Sequence, residues 1–321
     1  MKRCWLIVAA VAMVAATAAI PREPALFAEG VVSTADDESG FALAPDGRTA
    51  FFGKTSPTTS GNPMQVICVT HLGSDGKWGE PEIAPFSGEF HDIGPAFQPD
   101  GSRLFFLSNR PNGTGRHDFN IWYVERRGTG WGEPRALPEP VNSSSQEYGI
   151  SVSSDGTLYF ASNRAGGAGS FDIYFSRIES GEYRSVEKLG PEINTAGPEL
   201  EPAISPDGNV LVFAGLGRDD ERIGVHREYA HGDLYVSIRS GGKWSAARNC
   251  GAGINSGAED SWPGFSSDGQ RFFFTSERGF ATYRPAAAMT WAQFRSGLTS
   301  TLNGMGNIYE VDAAVLRIDS R

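Results

Sequence analysis

Five acidic side chains recur in one register. Glu38, Asp92, Glu147, Glu199 and Asp260 each stand eight residues before an Asp-Gly pair, at Asp46-Gly47, Asp100-Gly101, Asp155-Gly156, Asp207-Gly208 and Asp268-Gly269. Five residues before each acid lies a small polar residue, Ser33, Ser87, Asn142, Asn194 or Asn255, able to bond nearby backbone in a connector. Carboxylates gathered this way offer three chemistries: oxygen ligands for a hard cation such as calcium, a counter-charge for the basic group of a ligand, or glycosidic hydrolysis. The last needs a pair about 5 to 9 Å apart with one pKa raised.

The same acids also have a purely structural use. Arg110, Arg164 and Arg278 follow at matched positions in the second, third and fifth repeats and are the expected counter-charges there. Neighbouring unit charges about 10 Å apart at an effective dielectric of about 20 repel by about 1.7 kcal/mol, so a bare ring of carboxylates needs cations or raised pKa values. The first and fourth repeats have no arginine at the matched position but carry Asp37-Glu38 and Glu199-Leu200-Glu201, and the fifth adds Glu259-Asp260. That sector reads as net acidic. Glu38, Glu199 and Asp260 are the expected calcium ligands, and Asp92, Glu147, Glu201 and the three arginines complete the expected ligand face. His91, His117, His226 and His231 fall in loops without a metal-ligand spacing. No Gly-x-Ser-x-Gly elbow, P-loop or His-Glu-x-x-His is present, and a catalytic pair is expected to break a repeat rather than follow it, so no catalytic residue is assigned.

The elements that must position these acids are strands. The Asp-Gly turns are 54, 55, 52 and 61 residues apart, a period that with several short strands per repeat marks a propeller. After each turn comes a nearly continuous apolar run such as Phe51-Phe52, Leu104-Phe105-Phe106-Leu107 or Phe272-Phe273-Phe274, which predicts strands buried on both faces. Third strands follow, and in four repeats a turn closed by Trp78, Trp131, Tyr183 or Trp244 leads into an outer fourth strand.

The fifth repeat lacks that strand, but Glu23-Pro24-Ala25-Leu26 echoes Glu133-Pro134-Arg135-Ala136-Leu137. The expected fold is therefore all-β, a β-propeller of four-stranded antiparallel blades, five in number and closed by the N-terminal strand. Six blades is the alternative if residues 283–301 form a degenerate blade. Met289, Trp291, Phe294 and Leu298 near helical spacing instead predict a short helical insertion between the second and third strands of blade five. Trp291 and Phe294 then either offer apolar contacts to a ligand or pack the helix onto the rim. Residues 216–231 form a polar insertion in the equivalent loop of blade four.

Residues 1–18 read as a signal peptide: Lys2 and Arg3, an apolar run from Trp5, then Ala16-Thr17-Ala18. Residues 19–321 are expected to be one propeller domain, periplasmic or secreted, monomeric and without a transmembrane segment after cleavage. The formal charge of −10 and the lack of a basic cluster exclude nucleic acid as a partner. Cys68 and Cys250 fall in non-adjacent blades and are expected to be separate thiols.

Ser205-Pro206-Asp207-Gly208, the Ser-Asn-Arg loops, Asp172-Ile173-Tyr174 and the Ile193-Asn194-Thr195 and Ile254-Asn255-Ser256 connectors resemble the TolB-type β-propeller repeat of exported bacterial proteins. The resemblance spans the chain from about Ala25 onward and implies a periplasmic setting and binding through a propeller face. TolB's N-terminal α/β domain has no counterpart in this sequence. The expected function is non-catalytic binding of an exported or cell-envelope protein, peptide or glycan, or of a cation, with a carboxylate-dependent glycan hydrolase as the alternative.

Overall fold

The computed structural model describes residues 19–56, 64–111, 118–218, 232–279 and 288–317. The expected signal peptide, most of the blade-four insertion, His117, His226 and His231 lie outside the described residues.

Five four-stranded antiparallel blades form a ring. Blade one is Asp37–Leu43, Thr49–Thr55, Gln65–His71 and Glu82–Ile83. Blade two is Asp92–Phe97, Arg103–Ser108, Asn120–Arg127 and Arg135–Ala136. Blade three is Glu147–Val152, Leu158–Ser162, Asp172–Ser176 and Glu187–Lys188. Blade four is Glu199–Ile204, Val210–Gly215, Asp233–Ser240 and Arg248–Asn249. In blade five, Asp260–Phe265, Arg271–Ser276 and Asn307–Asp312 are completed by Ala25–Leu26 from the N-terminus, with Ala25 opposite Glu310.

The core is five sandwiches, one between each pair of consecutive blades. Phe105 and Phe160 meet between blades two and three, Tyr159 and Phe213 between three and four, and Val212 and Phe274 between four and five. Phe51 and Phe106 fill the gap between blades one and two, and Phe52 and Phe273 that between five and one. This is why the second strands are apolar on both faces: each Phe or Leu buried there contributes roughly 1.5–3 kcal/mol. At the closure, the Phe27 ring lies 4.7 Å from Phe41 of blade one and 5.7 Å from Phe273 of blade five, so the N-terminal segment seals the seam it closes.

Among the described residues, the predicted insertion in blade five is helical over Trp291–Leu298. Among the described residues no helix is long and apolar enough to cross a membrane. Cys68 and Cys250 are both free.

Candidate functional site in the central channel

Each acid of the repeated register begins the innermost strand of its blade, as expected, yet the five carboxylates do not crowd the channel mouth. All five are 0% exposed, each turned back into its own connector. Glu147 accepts bonds from the Ser143 backbone N–H (3.2 Å) and hydroxyl (2.7 Å) and pairs with Arg164 at 3.0 Å. Glu199 repeats this with Thr195 N–H (2.9 Å) and Asp260 with the Ser256 hydroxyl (2.9 Å). Asp92 takes the Ser87 hydroxyl at 2.8 Å and Arg110 at 2.8 Å, and Asp260 takes Arg278 at 3.0 Å. Burial pushes the Glu38, Asp92, Glu147 and Glu199 carboxyls up, and the connector hydrogen bonds and neighbouring cations pull them back.

The connector residues finish the latch. Asn142 receives the Ile121 N–H at 2.8 Å and donates to Ile121 and Leu137 carbonyls, bonding the third strand of the blade before; Asn194 and Asn255 do the same to Ile173 and Leu234.

The first and fourth blades are not short of counter-charge. Lys54, from the second strand, reaches Glu38 at 3.3 Å, and Arg218 reaches Glu199 at 3.2 Å. Both escaped the spacing rule because Lys54 precedes the matched position and Arg218 follows it. Glu38, Glu199 and Asp260 thus sit in three separate latches, and among the described residues no three His, Cys, Asp or Glu side chains gather as metal ligands.

The repeat breaks two residues further along. Every inner strand bulges there, and the bulge residue has a left-handed φ: 59° at Gly40, Gly94 and Gly149, 54° at Glu201 and 47° at Trp262. The five bulges crowd around the axis. A Cβ on Gly149 would lie 2.3 Å from the Glu201 Cα, and one on Gly94 would lie 2.4 Å from the Trp262 ring. Only blades four and five carry side chains at this level, each against a backbone preference of about 1–2 kcal/mol. The Trp262 indole fills the waist over Gly94, and its backbone N–H donates to Glu201 Oε2 at 2.7 Å.

Glu201 is 7% exposed, and no cation among the described residues is paired with it. Burial raises its pKa, the Trp262 N–H opposes, and Glu259 adds to the rise, leaving it at about 8. Tyr148 stands beside it, its ring 5.4 Å from that of Trp262, and its hydroxyl is pushed up by burial and by Glu201 and Glu259. The aromatic arc continues through Phe119 to His91 and sideways to Phe171. Just after the second strand of blade five, burial and then Glu259, Asp37 and Asp260 raise Glu277 to about 7. Of the residues read from the sequence as an acidic sector over blades four, five and one, Glu38, Glu199 and Asp260 are held in latches, while Glu259, Asp37 and Asp260 act on Glu277 and Glu259 acts on Glu201.

A cleft of about 20 Å³ at the waist is lined by the three bulge glycines, Glu201, Trp262 and adjacent prolines. It shares Phe41, Pro95, Ile150 and Pro263 with a cavity of about 60 Å³ toward the Asp-Gly turns, walled by Leu43, Phe97, Val152 and Phe265. A space of that first size admits about one water or ammonium group. A buried carboxyl whose pKa is raised takes up a cation by giving up its proton, since an adjacent positive charge favours the ionised form.

The chain matches no protein-family profile, and no curated protein matches it. Solved structures similar to it include a putative TolB from Agrobacterium tumefaciens, at 17% identity over 73% of this chain and 87% of that one, TM-score 0.41. An α-L-arabinofuranosidase from Podospora anserina, solved with cellotriose, aligns at 12% identity over 91% and 98%, TM-score 0.45. A puromycin-hydrolysing peptidase from Mycobacterium tuberculosis aligns at 15% over 84% of this chain and 41% of its own, TM-score 0.40. These likenesses concern the fold alone.

Proposed function

We propose that this propeller is a non-catalytic binding protein that receives a primary ammonium group at the waist of its channel. Glu201 is the counter-ion and Trp262 is the aromatic wall, with the Tyr148 ring packed against it. The ligand class is an exported or cell-envelope peptide or protein presenting a lysine side chain, or a glycan presenting an amino sugar. The observation that carries the reading is Glu201 itself: a buried carboxyl at left-handed φ where three blades have glycine, kept at about 8 beside the indole that plugs the channel. Strain and a desolvated acid held together at one point mark a site retained for use.

Calorimetric titration with Nα-acetyl-lysine methylamide tests it, with the norleucine analogue as the uncharged control. The lysine compound binds and the norleucine compound does not, and Glu201→Gln weakens binding about 10- to 100-fold, as loss of a charge-assisted contact should. Equal binding of both compounds, or an unaffected Glu201→Gln, overturns it.

The glycan-hydrolase reading draws on the same residue, because a carboxyl kept protonated near neutral pH is the state a general acid requires, with Glu259 as the second carboxylate in its field. The two part on Glu201→Gln: a hydrolase loses turnover and keeps substrate affinity, a binder loses affinity and has no turnover to lose.

A further inference from the structure

The waist cleft does not end at Glu201 but adjoins the larger cavity. The four residues the two spaces share, Phe41, Pro95, Ile150 and Pro263, directly follow the bulges at Gly40, Gly94, Gly149 and Trp262. From there the cavity extends along the inner strands to Pro99, Pro206 and Ser267, each of which precedes the aspartate of an Asp-Gly turn. Cleft and cavity together lead from Glu201 to the turn face of the propeller. At about 10–15 Å³ per water-sized group, the waist of about 20 Å³ holds about one such group, and the cavity of about 60 Å³ holds about four to six.

The lining decides what those groups are. None of the described residues around the cavity is ionisable, and beside its apolar walls it has three serines. Ser151 already accepts the Ile204 N–H at 2.7 Å, and Ser266 already donates to Asp268 at 2.6 Å. A hexosamine ring with its hydroxyls exceeds this room and would exchange water for few side-chain partners, whereas an alkyl chain gains with each methylene it buries. The opposite direction does not suit an alkyl chain. Glu259, whose field reaches Glu201, directly precedes the inner strand of blade five, so a chain laid that way would run toward charge. Trp291, the aromatic contact expected from the sequence, is 70% exposed on its helix and lines neither space.

We infer that the ligand of the channel is the linear side chain of a lysine in a peptide or protein, which enters from the face of the Asp-Gly turns. Its ammonium reaches Glu201 at the waist and its methylenes fill the cavity. The four methylenes of lysine match the cavity as its one ammonium matches the waist, and the peptide backbone is left outside, at Pro99, Pro206 and Ser267. An amino sugar is not the ligand. This inference rests on the channel reading and narrows it.

The test is calorimetric titration at pH 7 with methyl-, n-propyl- and n-pentylammonium, Nα-acetyl-lysine methylamide and glucosamine. The protein is wild type, Glu201→Gln, or Ser267→Phe, which sets a bulky ring at the turn-face opening, with melting curves to establish that each variant is folded. In wild type, affinity rises about fourfold per methylene along the alkylammonium series. The lysine compound binds and glucosamine does not, Glu201→Gln weakens every ammonium compound, and Ser267→Phe weakens n-pentylammonium and the lysine compound at least about tenfold. A flat series that still depends on Glu201 leaves an ammonium at the waist but overturns the chain in the cavity, and the wild-type series alone decides this. Glucosamine bound as tightly as the lysine compound overturns the inference in favour of a glycan, and n-pentylammonium bound without the lysine compound in favour of a free amine. A folded Ser267→Phe with unchanged binding overturns entry from the turn face. Binding of no ammonium compound, or binding that Glu201→Gln leaves unchanged, overturns the channel reading itself and this inference with it.

Discussion

Glu201 differs from the five latch carboxylates in what surrounds it, not in how deeply it lies. Each latch acid has a cation within 3.3 Å and a hydroxyl from its connector, whereas Glu201 has the Trp262 N–H and the field of Glu259. Its stability consequence has a definite sign. With a native pKa of about 8 against 4.5 for an exposed glutamate, the folded protein holds more protons than the unfolded chain between those values. Stability therefore falls as pH rises, by about 1.4 kcal/mol per unit across that window, and is flat outside it. Glu277, raised to about 7, adds a slope of the same sign over a narrower range. Glu201→Gln keeps an acceptor for the Trp262 N–H and has no such proton, so it is expected to melt close to wild type near pH 4.5 and well above it at pH 9. A wild-type advantage at pH 9 would show that Glu201 is ionised and satisfied in the native state.

The element that makes the site is the inner-strand bulge. Gly149 and Gly47 share a left-handed φ, 59° and 64°, but a Cβ at Gly47 meets nothing within 4 Å whereas one at Gly149 lands 2.3 Å from the Glu201 Cα. Gly47→Ala is expected to cost only the backbone preference, about 1 kcal/mol, and Gly149→Ala at least about 2–3 kcal/mol more as blades three and four are forced apart, read from denaturation midpoints. Equal costs would mean that the bulges do not pack on one another. The acid and asparagine rows were legible because each latch is local, its partners fixed by spacing within a connector. Glu201 was found for its charge alone. Trp262 was missed, although it occupies the same row as Gly40, Gly94, Gly149 and Glu201, and a residue that interrupts a glycine row is the signal that could have found it. Lys54 and Arg218 were missed because strand pleat and loop length, not residue count, decide which side chain reaches a carboxylate. The meeting of Glu277 with Asp37 and Glu259 depends on how the ring curves, which a one-dimensional repeat does not encode.

At the scale of the whole molecule, the ring is shut by its own N-terminus. Ala25–Leu26 pairs with Asn307–Asp312, and Ser33 bonds both the N–H and carbonyl of Ile308, the role the asparagines have in later connectors. The echo of Glu133-Pro134 in Glu23-Pro24 makes that closure readable in the sequence. Closure brings blade five beside blade one, which sets Asp37 near Glu277 and Glu259, with Glu201 in the field of Glu259, and it is on this grouping that the proposed preference for a cationic ligand rests. The central claim is that a ligand's ammonium group displaces the proton of Glu201 at the channel waist, and the number of protons released on binding tests it most directly. Calorimetry of Nα-acetyl-lysine methylamide at pH 7 in buffers of differing ionisation enthalpy should give close to one proton released per ligand, falling toward zero above pH 9 and absent in Glu201→Gln. Binding of the lysine compound with no proton release at pH 7, or with the same release from Glu201→Gln, would contradict it.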